Sequence, residues 1–361
     1  MELEFVTYHQ VIDGYQPTGD DYGLATYALL EPRKKAFLSN PNLKDTSRKM
    51  INLVRHEGKI IGRSMSFPTK LKVGDDYINI VGGSALEVAS EYQTGDAGTL
   101  LLSSGLTKKE NNAYLSSGFS RIGAQCQKAM RSYILTFPQL IQIRHFTKIL
   151  PAIGIPIWLA QAMGWVGSFL YAPFRLYIYY KAARLKKKYS VNRVLKVPDW
   201  VDEIVLKDGH KYMEVHDHKW LQWNLDNMFH SHEQNINAFY TVSQDGENIG
   251  FFMTKERHGS IEVRGIKDAL FGSIVEWGSK DVSRLSEYDL YLIALSSFSK
   301  EVDLVYMATT DYSLVKKIKY LGIIQWGDAI VALKDLRKQW KDAKDSSLWR
   351  LRLGYSDSIL N

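Results

Sequence analysis

The sequence predicts a mixed α/β fold made of two similar units joined by an apolar helical connector. Three observations carry this prediction. Tyr77 to Ser120 reads as an apolar strand, a small-residue turn, a helix and a second apolar strand. The chain after residue 198 repeats the element order of the first 148 residues. Between the two, Ile149 to Phe174 holds no charged residue. With 361 residues, 45% of them hydrophobic, the chain has room for two cores of ordinary size. The units are drawn at 1–148 and 199–361, with the connector at 149–198.

The formal net charge is +7. The excess is concentrated in Arg184-Leu185-Lys186-Lys187-Lys188 rather than spread over a face, so no nucleic-acid partner is expected. A single cysteine, Cys126, excludes an intrachain disulfide framework. With no histidine near it in sequence, it reads as a buried, inert thiol. Met1 to Gln10 lacks the basic-then-apolar order of an export signal, and a cytoplasmic location is expected.

In chain order, Leu3 to Tyr8 alternates as a first strand, and Asp21 to Leu38 has helical apolar spacing interrupted near Pro32. Met50–Arg55 and Ile60–Phe67 flank Glu57-Gly58-Lys59, a tight hairpin signal, and Val73 to Asp76 turns into the strand Ile78 to Val88. Gly82 and Gly83 interrupt that strand and suggest a bulge. After Glu91-Tyr92, the small residues Gly95 to Thr99 lead into a helix from Leu100 to about Lys109. Asn112 to Ser120 is the next strand. A helix over Arg121 to Arg131 and a strand from Tyr133 through Arg144 complete the unit.

A turn of small residues lets backbone N–H groups converge where a helix begins, and the helix dipole adds partial positive charge there; such a turn suits a phosphate. This order, with a tyrosine before the turn and Gly118-Phe119-Ser120 after the next strand, resembles the GNAT acyltransferase superfamily. The resemblance implies a mostly antiparallel mixed sheet flanked by helices in each of two tandem domains. It also implies a co-substrate, acetyl-CoA or another acyl-CoA, whose pyrophosphate rests on an Arg/Gln-x-x-Gly-x-Gly/Ala turn. That turn maps onto Gln93, Thr94, Gly95, Asp96, Ala97, Gly98 and Thr99, with Asp96 where the family has its first glycine and Gly98 on the second. In the family the strand backbone, here Leu86 to Val88, polarises the thioester carbonyl. Glu87 or Glu91 would take the ammonium proton of the acceptor amine, directly or through water; the alternative for either is a solvated carboxylate at the strand end. In the family a tyrosine protonates the departing thiolate; the resemblance puts Gln127 near its place, so either Tyr114 or Tyr133 serves as the acid or solvent protonates the thiolate.

The uncharged run exceeds the ~20 residues needed to span a bilayer. Pro151, Pro156 and Pro173 break it, and the readings are ordered as a buried connector, then an interfacial anchor, then a span. Trp158, Trp165, Tyr171, Tyr177, Tyr179 and Tyr180, followed by the basic run, keep peripheral contact with the inner membrane face in view. Beyond Pro198, Ile204-Val205-Leu206 reads as a strand and Lys219 to Leu225 as a helix with an aromatic face. Ala238–Val242 and Ile249–Met253 form a hairpin across Asp245-Gly246. A strand Gly272 to Trp277, a helix Leu285 to Phe298, a strand Asp303 to Ala308, a helix Ser313 to Tyr320 and a strand Ala329 to Leu333 follow. Trp277 to Leu285 holds no CoA signature, so one acyl-CoA site is expected, in the first unit. His216, His218, His230 and His232 form two His-x-His pairs; a histidine-rich surface helix and loop is the reading, with no metal. The resemblance implies transfer of an acyl group, acetyl foremost, to a primary amine of a small molecule or cell-envelope amino-sugar precursor. The alternatives are a catalytically degenerate GNAT-like scaffold and an aminoacyl transferase of the tandem-GNAT peptidoglycan type.

Overall fold

The computed structural model describes residues 1–93, 95–104, 112–118, 121–152, 154–229, 232, 234–259 and 269–355. The first half opens with β1 (Glu2–Thr7), α1 (Tyr8–Ile12), α2 (Leu24–Ala28) and α3 (Glu31–Leu38). The helical run is split as expected at Pro32, which occupies the first turn of α3. β2 (Lys49–His56) and β3 (Lys59–Val73) form the expected hairpin, with Glu57 at φ +50° and Gly58 at φ +77°. Two successive positive φ values match the right-handed twist of the flanking strands. β4 (Asp76–Val88), α4 (Ala97–Ser104), β5 (Ala113–Ser117), α5 (Arg121–Ala129) and β6 (Tyr133–Ile143) follow. The predicted helix residues 105–109 and strand residues Phe119 and Ser120 lie outside the described residues.

After β6 come α6 (Phe146–Ala152), α7 (Ile157–Lys188), β7 (Ser190–Val194), α8 (Asp202–Val205), β8 (Tyr212–Glu214) and α9 (His218–Asp226). The second half continues with β9 (Ile236–Gln244), β10 (Glu247–His258), β11 (Leu270–Ser279), α10 (Glu287–Leu295), β12 (Leu304–Ala308), α11 (Tyr312–Ile318) and β13 (Ile324–Asp335). Ile204 to Leu206, expected as a strand, belongs instead to α8 and its C-terminal cap. Three apolar residues are too few to set a period, and Asp202 and Glu203 in the first turn favour a helix start.

All strands join one sheet, in the order β1-β2-β3-β4-β5-β13-β6-β12-β11-β10-β9-β7, with β8 paired to β3. The order is pseudo-symmetric about its centre. Each half contributes a hairpin, a parallel pair and a last strand, and the last strands are exchanged. β13 from the second half pairs with β5, while β6 from the first half pairs with β12, and the two lie antiparallel side by side.

The halves also share a core. Trp220 and Trp223 of α9 pack on Phe67 of β3 with ring centroids 6.1 and 6.3 Å apart, and Trp223 Nε1 donates to the Ala36 carbonyl at 2.7 Å. Phe239, Phe251 and Met253 join this cluster from the second half, and Phe37 and Met65 from the first. Burying such side chains contributes about 1.5–3 kcal/mol each.

The connector departs from the leading expectation. α7 is not enclosed between the halves; it lies along the outside, its buried face made of Ala160, Gly164, Ile178 and Ala182. The reason is the placement of its small residues. A Cβ on Gly164 would meet Thr147, and one on Gly167 would stand 3.1 Å from the Phe146 ring, so glycines seat the helix on α6. Trp158, Trp165, Phe169, Tyr179 and Tyr180 are left pointing away, while Tyr171 packs on Phe146 with ring centroids 4.9 Å apart. No helix among the described residues is long and apolar enough to cross a membrane.

Candidate active site

The expected strand with a bulge is β4. It runs parallel to β5 over three pairs, Val81 with Tyr114, Gly82 with Leu115 and Gly83 with Ser116, and the two strands then part. Gly82 and Gly83 are not the bulge. They make room for rings, since a Cβ on Gly82 would collide with Phe67 and one on Gly83 with the Tyr114 hydroxyl. The bulge lies just beyond them, where Ala85 and Leu86 together face the single residue Ser64 of β3. Ala85 sits at φ +50°, a conformation that costs an L-residue roughly 1–2 kcal/mol. A bulge leaves one residue out of the ladder, so backbone at the fork is turned away from its partner strand.

Buried Arg63 holds this geometry. Its Nε donates to the Ala85 carbonyl at 3.2 Å and Nη1 to the Leu24 carbonyl at 2.9 Å, while Nη2 pairs with Glu87 Oε2 at 2.5 Å. Its guanidinium lies 4.0 Å from the Tyr27 ring centroid. Glu87, read from sequence as a base, is thus the counter-ion of Arg63. Glu91 lies one turn further on and accepts from the Tyr22 hydroxyl at 2.5 Å. That bond holds the Tyr22 phenol up at about 12.

Past Val88 the chain makes a short 3-10 turn, Ser90–Tyr92, and enters α4. Gln93 folds back, its Nε2 donating to the Val88 carbonyl at 3.1 Å, and closes the turn. Thr94 lies outside the described residues. Gly95, Asp96 and Thr99 are exposed, and Ala97 is buried beneath α4 with Leu101 against Val54 and Ile61. The nearest atom to a Cβ built on Gly98 is Val88 Cγ2 at 3.9 Å, so protein packing leaves space there. No acidic residue occupies the first turn of α4.

Of the two candidate tyrosines, only Tyr114 is at the fork; its ring crosses Gly83. Tyr133 packs on the opposite face of the sheet, against the cluster that contains Tyr212 and Trp349. The structure therefore does not bring the two together. Gln127 is buried and bridges Ser116 Oγ at 3.3 Å and Ser132 Oγ at 2.7 Å, a structural tie.

The second half repeats the fork and then fills it. β11 and β12 pair in parallel from Phe271–Ser273 to Leu304–Tyr306, with a bulge at Val275 opposite the Met253–Thr254 step. The segment Arg350–Tyr355 threads between the parted strands. Arg352 bridges to Thr309, Thr310 N donates to the Leu351 carbonyl at 3.0 Å, and Gly354 N donates to the Val275 carbonyl at 3.2 Å. A buried charge network pins this plug. Glu276 Oε1 accepts from Arg350 Nη2 at 2.8 Å and Arg352 Nη1 at 2.6 Å, and Oε2 from His216 Nδ1 at 2.6 Å. His216 Nε2 lies 3.2 Å from Glu214 Oε2.

Burial alone would lower the His216 pKa, but hydrogen bonds to Glu214 and Glu276 outweigh it and hold the imidazole up at about 9. Burial would raise Glu276, yet Arg350, Arg352 and His216 hold it well below the usual carboxylate range. The surface reading of the histidines thus fails for His216, which is 1% exposed and stacked on Trp220. His230 lies outside the described residues, and no group of possible metal ligands is found among those described. Sequence reasoning missed Arg63 and this network. The available signal was charge inside apolar strands: Arg63 after Ile60-Ile61-Gly62, Glu276 after Ile274-Val275, and Arg350 and Arg352 alternating with leucines.

A cavity of about 270 Å³ lies where β5 ends, bounded by Ser117, Gly118, Phe137, Gln139, Arg352 and Tyr355.

No family model matches the sequence, and no curated protein matches it. Solved structures do. A GCN5-related N-acetyltransferase from Anabaena variabilis superposes with a TM-score of 0.53 at 10% identity, over 93% of this chain and 73% of that one. N-myristoyltransferase from Saccharomyces cerevisiae, with bound myristoyl-CoA and inhibitors, superposes with a TM-score of 0.55 at 12% identity, over 92% and 80%. Eis1 from Mycobacterium abscessus gives 0.51 at 10% identity, over 93% and 74%. The chain adopts the GNAT fold. The long bulged strand, the helix after it and the strand that follows are parts of this fold that the sequence indicates; the parallel pairing of the two strands and the exchange of the last strands are not.

Proposed function

We propose that the protein is an acyltransferase that takes its acyl group from acyl-CoA, bound in the first half, and delivers it to an amine. The observation that carries this is the asymmetry of the two forks. The second is filled by Arg350–Tyr355, and α10 after it begins with Glu287 and Asp289, which oppose a phosphate. The first leads to an α4 whose initial turn carries no acid, exposed Asp96 standing one residue before it, and whose Gly98 leaves room for a ligand.

In this reading the diphosphate rests on the N–H groups between Gln93 and Thr99, and the amides of the donor's extended arm pair with the parted edges of β4 and β5. The backbone from Leu86 to Val88 polarises the thioester carbonyl as negative charge develops on it. Tyr114, at the fork, protonates the departing thiolate in preference to Tyr133. Glu87 or Glu91 takes the ammonium proton, directly or through water. The cavity at Ser117 and Gln139 receives the acceptor, a small-molecule amine or an amino-sugar precursor.

The test is thermal stabilisation by acetyl-CoA and a longer acyl-CoA at a concentration on the order of 1 mM, followed by thiol release over a panel of amines. Stabilisation with amine-dependent thiol release is expected. No stabilisation by either donor would overturn the reading and favour a scaffold or an aminoacyl donor.

A further inference from the structure

The exposed face of α7 is apolar over most of its length. Along one side of the helix stand Trp158, Trp165, Phe169, Leu176 and Tyr180, of which Trp165 is 77% and Phe169 79% exposed. Ile157, Val166 and Leu170 flank them, and from Ile157 to Tyr180 the one exposed side chain that is neither apolar nor aromatic is Gln161. At 1.5 Å per residue this ridge is about 36 Å long. A single apolar residue on a surface needs no explanation, but a continuous ridge of this size does.

The geometry points to an anionic membrane surface as what covers this ridge, with α7 lying in the plane of the bilayer interface. Three observations select that occupant. First, the same face continues past Tyr180 into exposed Arg184 and Lys187, beside Lys186 and Lys188. From Asn111 to Pro198 the chain holds thirteen lysines and arginines and no aspartate or glutamate, so nothing acidic on the connector opposes an anionic headgroup. Second, tryptophan and tyrosine recur along the exposed face of α7, at Trp158, Trp165, Tyr177, Tyr179 and Tyr180, and these rings settle at the boundary between hydrocarbon and headgroup. Third, α7 is seated by its inner face on α6, α10 and the turn Lys319–Leu321, which leaves the ridge on the outside along its length, where a planar boundary can meet it.

Crossing the bilayer is ruled out by topology. β6 before α7 and β7 after it belong to one sheet, and the inner face of α7 packs on α6, α10 and the turn Lys319–Leu321. This inference does not depend on acyl transfer.

The test is flotation of the full chain with vesicles of phosphatidylcholine containing about one third phosphatidylglycerol, against phosphatidylcholine alone, with the mass in solution measured alongside. Binding to the anionic vesicles is expected, weakened by salt. The double variant Trp165→Glu/Phe169→Glu, on side chains that already face solvent, should lower partitioning by on the order of a hundredfold while leaving the melting temperature unchanged. Arg184→Glu/Lys187→Glu should weaken binding to anionic vesicles specifically. The inference is overturned if the wild type stays unbound, if the Trp165→Glu/Phe169→Glu variant floats as well as wild type, or if the chain is a dimer that these substitutions dissociate.

Discussion

His216 is a fixed positive charge in the interior, and its two carboxylate partners give it a pH signature. Its pKa is raised from 6.5 to about 9 by Glu214 and Glu276. A group whose folded pKa lies above its unfolded value stabilises the fold fully below the lower figure and loses that contribution as pH rises through the higher one. The contribution of a few kcal/mol should therefore decline between about pH 6.5 and 9. Denaturant unfolding across that range should show wild type losing stability, whereas His216→Gln, already weaker at pH 6.5, should be nearly flat. Parallel profiles for the two proteins would mean that the imidazole is not charged in the folded state. Glu276 acts with the opposite sign, its contribution being lost in acid as the carboxylate is protonated.

At the scale of elements, the turn into α4 is the part of the candidate site that invites a direct test. Gly98 is at ordinary φ with space above it, so Gly98→Glu should fold normally and place bulk and like charge where a diphosphate has to approach. Affinity for CoA, read by calorimetry, should fall roughly tenfold or more. Asp96→Gly removes an exposed carboxylate from the same turn and should leave affinity unchanged or raise it. Equal binding by wild type and Gly98→Glu would put the diphosphate elsewhere. This turn was legible because its signal is local, as were both hairpins, where Glu57-Gly58 and Asp245-Gly246 take successive positive φ values that Gly58, Asp245 and Gly246 favour. Longer-range features left no such mark. An uncharged helix has the same letters whether protein or lipid covers it, which is why α7 was expected between the halves. β8 is three residues long, and α8 four, both below the length at which periodicity speaks. Glu276, Arg350 and Arg352 could be seen as misplaced charges, but which of them pair is fixed by the fold.

The exchange of last strands decides how the whole molecule behaves. β13 stands between β5 and β6, so the sheet of the first half is continuous only when residues 324–335 are present, and the second half needs β6 beside β12 in the same way. The shared aromatic cluster around Phe67, Trp220 and Trp223 adds a second bond between the halves. A chain cut after residue 148 would expose the facing edges of β5 and β6 and the underside of Phe37 and Phe67, and exposed apolar edges favour aggregation over folding. Residues 1–148 alone should therefore give aggregated or unfolded material. Co-expression with residues 149–361 should recover a soluble complex, because both halves of each exchanged pair are then available. The intact chain should unfold in one transition, with tryptophan fluorescence and far-ultraviolet dichroism changing together, since neither core is complete without the other. A soluble, cooperatively folding 1–148 fragment, or two separate transitions in the intact chain, would show instead that each half closes its own sheet and that the exchanged strands contribute little to either.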